Sequence, residues 1–544
     1  MEIITGNLVD IFNREIYPAK IYVDRGIINK IERSSEVYDT YITPPLVDAH
    51  VHIESSMLTP ENFSRMVVAN GTVAVVHDPH EIANVLGVEG IEFMLKNSRH
   101  ALIKCFSGIP SCVPATPFDR AGAKITSKDV QELAESKRFV MLSEMMNVPG
   151  VLYGDEEVMK KLEIAHKYKL PIDGHAPYLS GESLKKYINA GISTDHETSD
   201  LNEALEKISL GMKIIIREGS AAKNYQELKS LIATHPNELF FCTDDAHPDE
   251  IMEVGHIDRF LRMGIADGFD IYSLLKIASF NPISHYNLSV GTLKVGEMAD
   301  FVRFKDLTSF KVLETYIEGK KVYDFSKKSQ MRKRSNISPA IEYPNKFNLD
   351  FIREEDLDIP VEIKSYTAIK LNKDQIVTSK YYFNHTSHKR NLKWYKDNDI
   401  LKIVYVNRYE NGTPQIAYIK GVGLKSGAFA SSIGHDSHNI VAVGVKDEDI
   451  AEVINEIIRN KGGLAVRYMK RTNSLSLPIA GIMSDKDAHY VANRYKFLTK
   501  KVQLAGSNLS SPFMTLAFMS LVVIPEIKIG ERGLFDYEKF SFIE

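Results

Sequence analysis

Between Pro45 and about residue 285 short apolar runs alternate with amphipathic stretches, and this alternation constrains the fold more than any other feature. One run ends at His50; the others are Thr72–His77, Leu102–Phe106, Phe139–Glu144, Pro171–His175, Ile192–His196, Met212–Arg217 and Leu239–Asp244. Segments with helical spacing, such as Glu156–Lys169 and Leu201–Leu210, separate them. Strands that alternate with helices pair in parallel, because each crossover returns the chain to the same end of the sheet. Eight such units fit a (β/α)8 TIM barrel, which takes about 250 residues.

The flanks read differently. Leu8–Ile11, Glu15–Val23 and Ile27–Glu32 are strand-like and broken by turn residues, and Phe301–Phe304, Val312–Ile317 and Lys320–Tyr323 resume that pattern after the barrel. The expected architecture is α/β throughout. Residues 1–44 plus 285–330 form a composite β-sandwich domain, 45–284 form the barrel, and 345–544 form a C-terminal α/β domain. Lys327–Arg334 (KKSQMRKR) reads as a solvated linker, and Phe513–Ile524, too short for a bilayer and stopped at Pro525, reads as buried core.

With 67 Lys and Arg against 71 Asp and Glu, the net charge of −4 offers no field for nucleic acid or an anionic membrane. Three cysteines without C-x-x-C spacing build no disulfide framework, and the first residues lack the basic start and apolar run of a signal peptide. A cytoplasmic enzyme is expected.

Active sites of such barrels lie at the C-terminal ends of the strands. Here metal-ligand side chains recur at those ends: His50 and His52 on the first strand, Glu144 on the fourth, His175 on the fifth, His196 on the sixth and Asp244 on the eighth. Residues two apart in extended chain face the same side, so His50 and His52 can grip one ion. Imidazole and carboxylate donors without thiolate suit Mn2+, Fe2+ or Zn2+. Glu144 stands where it can bridge two ions, one held by His50, His52 and Asp244 and the other by His175 and His196. Two such ions lower the pKa of a shared water, and Asp244 beside it can take the proton and pass it on.

The order H-x-H, acid, His, His, Asp resembles the amidohydrolase superfamily, with Glu144 where many members carry a carboxylated lysine. Longer strings resemble the adenine deaminase family: DAHVHIESSMLTP (Asp48–Pro60), HDPHEIANVLG (His77–Gly87), SEMMNVPGV (Ser143–Val151), REGSAA (Arg217–Ala222), CTDDAHPDEI (Cys242–Ile251) and SGAFASSIGHDSHNI (Ser426–Ile440). That resemblance implies hydrolysis of adenine to hypoxanthine and ammonia, in purine salvage, by attack of a metal-activated hydroxide on C6. It further implies a binuclear Mn2+ or Fe2+ centre, with Zn2+ also fitting, and a homo-oligomer. Within this frame the catalytic set is Asp244, Glu144 and His80, with His80 acting directly or through a hydrogen bond. Glu81, Arg217, Glu218, Ser220 and Glu54 are candidates for contacting the substrate, and Asp245 and Asp195 for orienting ligands. His435, Asp436 and His438 cluster in the C-terminal unit, as a third ion site, an interface support or a loop that reaches the active site.

Two other readings compete: an amidohydrolase acting on a cyclic amide or acetyl group with the same metal centre, and a binding protein on a degenerate barrel. His52-Ile53-Glu54 matches half of the zinc-dependent cytidine deaminase signature, but the required P-C-x-x-C is missing.

Overall fold

The computed structural model describes residues 1–327, 343–358, 365–372, 375–384 and 392–543; residues 328–334 of the basic run lie outside them. Eight parallel strands form the barrel: Leu46–Val51, Thr72–His77, Lys104–Ile109, Phe139–Met145, Ile172–Gly174, Thr194–Asp195, Lys213–Arg217 and Leu239–Cys242. The first five form one hydrogen-bonded sheet and the last three another. Parallel bridges between Ile172 and Ile192, and between Val51 and Asp244, join the two sheets at both seams. At the second seam Asp244 N donates to His50 O (3.0 Å) and His52 N to Asp244 O (3.2 Å), so the ends of the first and eighth strands that carry His50, His52 and Asp244 are tied together.

The strands are buried on both faces, which is why runs such as Val73–Val76 and Leu239–Cys242 lack polar alternation. Side-chain caps start the helices that follow: Thr59, Thr126, Asp155 and Asp200 each accept a backbone N–H of the first turn. The third strand sits later than the expected Leu102–Phe106. Its pairing with the second runs from Ala74–Lys104 to His77–Ser107, and the polar and small Ser107-Gly108 hid its continuation to Ile109.

Strands from both flanks share one seven-stranded sheet, in which Tyr41–Thr43 pairs in parallel with Glu2–Asp10 and antiparallel with Phe301–Phe304. Ile4, Leu8, Ile21, Ile42 and Phe301 form its apolar cluster. Hairpin tips from the two flanks of the barrel meet at Gly26 and Gly319; both have positive φ, and a Cβ on Gly319 would lie 3.0 Å from Gly26 Cα.

The C-terminal segment builds an eight-stranded sheet from Ser365 to Ser476, covered by the helix Asp447–Arg459 through Ile450, Val453, Ile454 and Ile457. Phe513–Ile524 is buried: the helix Pro512–Ala517 leads into a 3-10 turn, Phe518–Ser520. Among the described residues no helix is long and apolar enough to cross a membrane.

Candidate active site

The six ligand residues expected from the sequence converge at the C-terminal mouth of the barrel. Ala49 and Val51 pack into the barrel core, so the alternation of an extended chain places His50 and His52 together on the other side. Their Nε2 atoms are 3.2 Å apart, and Asp244 Oδ1 lies 3.5 Å from the first and 3.1 Å from the second. His175 Nδ1 and His196 Nε2 approach Glu144 Oε2 at 2.8 and 3.3 Å, whereas His52 Nε2 faces the other oxygen, Oε1, at 3.3 Å. Each carboxylate oxygen of Glu144 therefore serves a different histidine set.

These side chains are held by their surroundings. His52 Nδ1 lies 3.1 Å from Asp78 O; donating its N–H there frees Nε2 for a cation. The His50 ring stacks on His196 at 4.3 Å. Asp48 accepts from Thr243 N and Oγ1 (3.1 and 2.5 Å) and from His256 Nε2 (3.0 Å), locking the first and eighth strands in register. Asp195 accepts from Ala176 N, Thr198 and Lys207, and so fixes the loops that follow His175 and His196 rather than touching a ligand ring. Asp245 accepts from Ser55 Oγ at 2.5 Å and lies beside His52 and Asp244.

Acids and histidines set one another's charge across the site. Burial disfavours charge on Glu144 and Asp244, but the facing histidines, and Arg217 for Asp244, outweigh it and hold both carboxyls well below the usual range. Burial likewise opposes protonation of His52, His175 and His196, yet the facing acids raise all three, His196 to about 9.

The substrate candidates fare unevenly. His80 lines the cavity: its Nδ1 lies 2.9 Å from Asp78 Oδ2 and 3.4 Å from Glu144 Oε1, and its Nε2 lies 3.6 Å from Glu81 Oε1. Arg217 also lines it, but its guanidinium is already engaged by both oxygens of Glu197 (2.5 and 2.9 Å) and by Asp244 Oδ2 (2.5 Å), so it orients acids rather than reading a ring edge. Glu218 turns away and pairs with Arg259 at 2.5 Å. Ser220 Oγ accepts from His247 N at 2.9 Å, leaving Gly219, Ala221 and Ala222 on the wall. Glu54 is buried behind the wall, accepting from Ile82 N, and burial pushes it up to about 7. His77 lies inside the barrel, off the cavity, with burial pushing it down to about 4.

The whole chain enters the comparison with known proteins. The amidohydrolase family profile matches residues 41–322, and the profile of the adenine deaminase C-terminal domain matches residues 375–541. Adenine deaminase of Methanosarcina acetivorans is 47% identical over 544 residues, spanning 99% of this chain and 98% of that protein. Adenine deaminase of Sulfurovum sp. is 48% identical over 540 residues, spanning 99% and 98%, and that of Borreliella burgdorferi is 43% identical over 551, spanning 99% of each. The chain belongs to the adenine deaminase family.

An enzyme of the amidohydrolase family works with a divalent cation. The donors fit one: ligand atoms held about 2.0–2.2 Å from an ion lie about 3.0–3.5 Å from one another. The separations of 3.1, 3.2 and 3.5 Å among His50, His52 and Asp244 fall in that range.

One feature of this adenine deaminase family site escaped the sequence. Glu197, directly after His196, lies 3.6 Å from both His175 Nδ1 and His196 Nε2; the signal was an acid adjoining a ligand at a strand end. The C-terminal segment takes, of the forms expected for the His435, Asp436 and His438 cluster, that of a loop reaching the active site. Its loop reaches the barrel mouth, where His435 Nδ1 contacts Glu81 Oε1 at 2.7 Å and His438 Nε2 lies against Glu81 Oε2. Both Glu81 oxygens are thereby occupied, and although burial pushes its carboxyl up, these two histidines hold it well below the ordinary range. Ile376, Phe518, Leu521 and Ile524 complete an apolar wall around the cavity.

Proposed function

We propose that the protein is an adenine deaminase, converting adenine and water to hypoxanthine and ammonia, and thus serves purine salvage in the cytoplasm. The observation that carries this reading is the placement of Glu144, one oxygen toward His52 and the other toward His175 and His196, at the foot of a cavity with an apolar wall. Near-full-length similarity to adenine deaminases supports the choice of substrate. His50, His52 and Asp244 would hold one ion, His175 and His196 another, with Glu144 between, as Mn2+ or Fe2+. Bound there, the ions supply a hydroxide nucleophile at neutral pH.

The side chains do the rest. Asp244 takes the proton of the attacking water and returns it to the departing amine; Arg217 on its other oxygen keeps it a weak base, so the transfer onward runs downhill. Burial opposes charge on His80, but Asp78 and Glu81 raise it well above its ordinary value, so it enters the reaction as imidazolium. Its proton goes to N1 as C6 becomes tetrahedral, which keeps negative charge from building on the ring, and the proton of the C6 hydroxyl returns to His80 as ammonia leaves. The apolar wall excludes bulk water and stacks on the flat heterocycle. A homo-oligomer is part of the reading, on family resemblance alone.

The test is direct. Purified protein loaded with Mn2+ or Fe2+ should release one ammonia and one hypoxanthine per adenine, and stripping the metal should abolish turnover. Metal-loaded protein inert toward adenine but active on a cyclic amide or an N-acetyl substrate would transfer the assignment to that chemistry.

A further inference from the structure

The C-terminal loop that follows Ser431 brings more to the cavity than a wall. His435 and Asp436 both line it, at 3% and 6% exposure, and each carries one polar atom with no hydrogen-bond partner among the described residues: His435 Nε2 and Asp436 Oδ2. The active-site chemistry above uses neither. The loop is firmly held, because Tyr409 Oη donates to Ser437 O (2.6 Å), Arg408 N to Asn439 Oδ1 (3.0 Å) and His435 N to Ala517 O (3.1 Å). The His435 ring lies against Phe518, with centroids 4.9 Å apart and planes 27° apart, and its Nδ1 is committed to Glu81. Burial opposes its protonation, but the Glu81 charge raises it to about 9, so Nε2 carries a proton and donates. Burial raises the Asp436 carboxyl to about 6 against the opposing charge of His80, which leaves it an acceptor at neutral pH. The cavity thus presents one buried donor and one buried acceptor from adjacent residues.

We propose that Asp436 and His435 select the free base over its nucleoside: Asp436 Oδ2 accepts the N–H of the five-membered ring of adenine, and His435 Nε2 donates to a bare ring nitrogen. The chemistry is decisive because a free purine carries one proton on its five-membered ring, on N7 or N9, whichever way it lies. A nucleoside, substituted at N9, carries none. A ligand without that N–H leaves a buried carboxylate oxygen unpaired, and sites built to bond an N–H reject the analogue lacking it far more strongly than apolar contacts can. Both residues are specificity determinants rather than members of the reacting set. The inference rests on the adenine deaminase reading.

The test compares adenine with 9-methyladenine, which lacks the N–H, in the metal-loaded full chain. The isosteric Asp436→Asn keeps the space around the methyl group. It should lower kcat/KM for adenine at least tenfold, mainly through KM, while 9-methyladenine changes less than threefold. His435→Gln should weaken adenine binding similarly, read as a rise in KM for adenine with little change for 9-methyladenine. Asp436→Ala should narrow the adenine to 9-methyladenine ratio in the same direction. Equal losses for both substrates, or none for adenine, would overturn the assignment, as would loss of one metal equivalent in Asp436→Asn, which would make Asp436 a ligand. Wild-type protein that leaves adenine untouched would instead remove the deaminase reading itself.

Discussion

His80 shows how a single side chain acquires its role from three neighbours. Asp78 lies 2.9 Å from its Nδ1, Glu81 lies 3.6 Å from its Nε2, and the ring sits 4.4 Å from that of His52. The acids hold it well above its ordinary value despite burial, yet it is not among the residues whose strand ends converge on Glu144. If His80 is the acid proposed above, His80→Gln should lower kcat by about 10²- to 10⁴-fold, the range for a lost acid–base group, while the metal content per chain stays that of the wild type. Metal analysis beside steady-state kinetics checks it; loss of metal along with activity would make His80 a ligand.

At the scale of elements, the loops after the fifth and sixth strands are pinned by Lys207, a fully buried lysine from the helix Leu201–Ser209. Its Nζ donates to Ala176 O (2.8 Å), Asp195 Oδ2 (2.9 Å), Thr198 Oγ1 (2.9 Å) and Glu203 Oε1 (2.6 Å). Burial pushes Asp195 up, but the Lys207 charge outweighs it and holds the carboxyl well below the usual range. Lys207→Met leaves that carboxylate buried without its cation, which costs about 3–5 kcal/mol. The urea midpoint should fall accordingly. Because His175 and His196 immediately precede the pinned loops, metal affinity should drop about 10–100-fold as well.

The whole molecule works as a barrel mouth closed by a second domain, and the closure carries a cost. Lys528, on the strand Ile527–Gly530, is fully buried and, among the described residues, donates to Ile376 O alone, at 2.7 Å, directly behind the cavity wall. Burial pushes it down to about 7. The unfolded chain keeps an ordinary lysine, so between pH 7 and the usual lysine range it binds a proton that the folded chain does not, and stability rises with pH there. Relative to Lys528→Met, wild type should gain about 1 kcal/mol per pH unit from pH 7 to 10, and the variant should be the more stable at pH 7. Denaturant titrations of both proteins across that range measure it; parallel curves would contradict it.

What the residues determined alone is the part that depends on local periodicity. Eight apolar runs interleaved with helices specify a parallel barrel, and ligand types recurring at strand ends mark its mouth, because strand direction and side-chain alternation are short-range properties. That Glu144, His50, His52, His175, His196 and Asp244 come together at one mouth was legible for that reason. Glu218, Ser220 and Glu54 were not, since which way a loop side chain turns depends on partners such as Arg259, His247 and Ile82 that only folding brings near. The same holds for Arg217, whose charge is taken up by Glu197 and Asp244. Tertiary structure alone decided that His435 and His438 grip Glu81 from more than 350 positions away, because the C-terminal sheet packs over the barrel mouth and sequence separation carries no information about that contact.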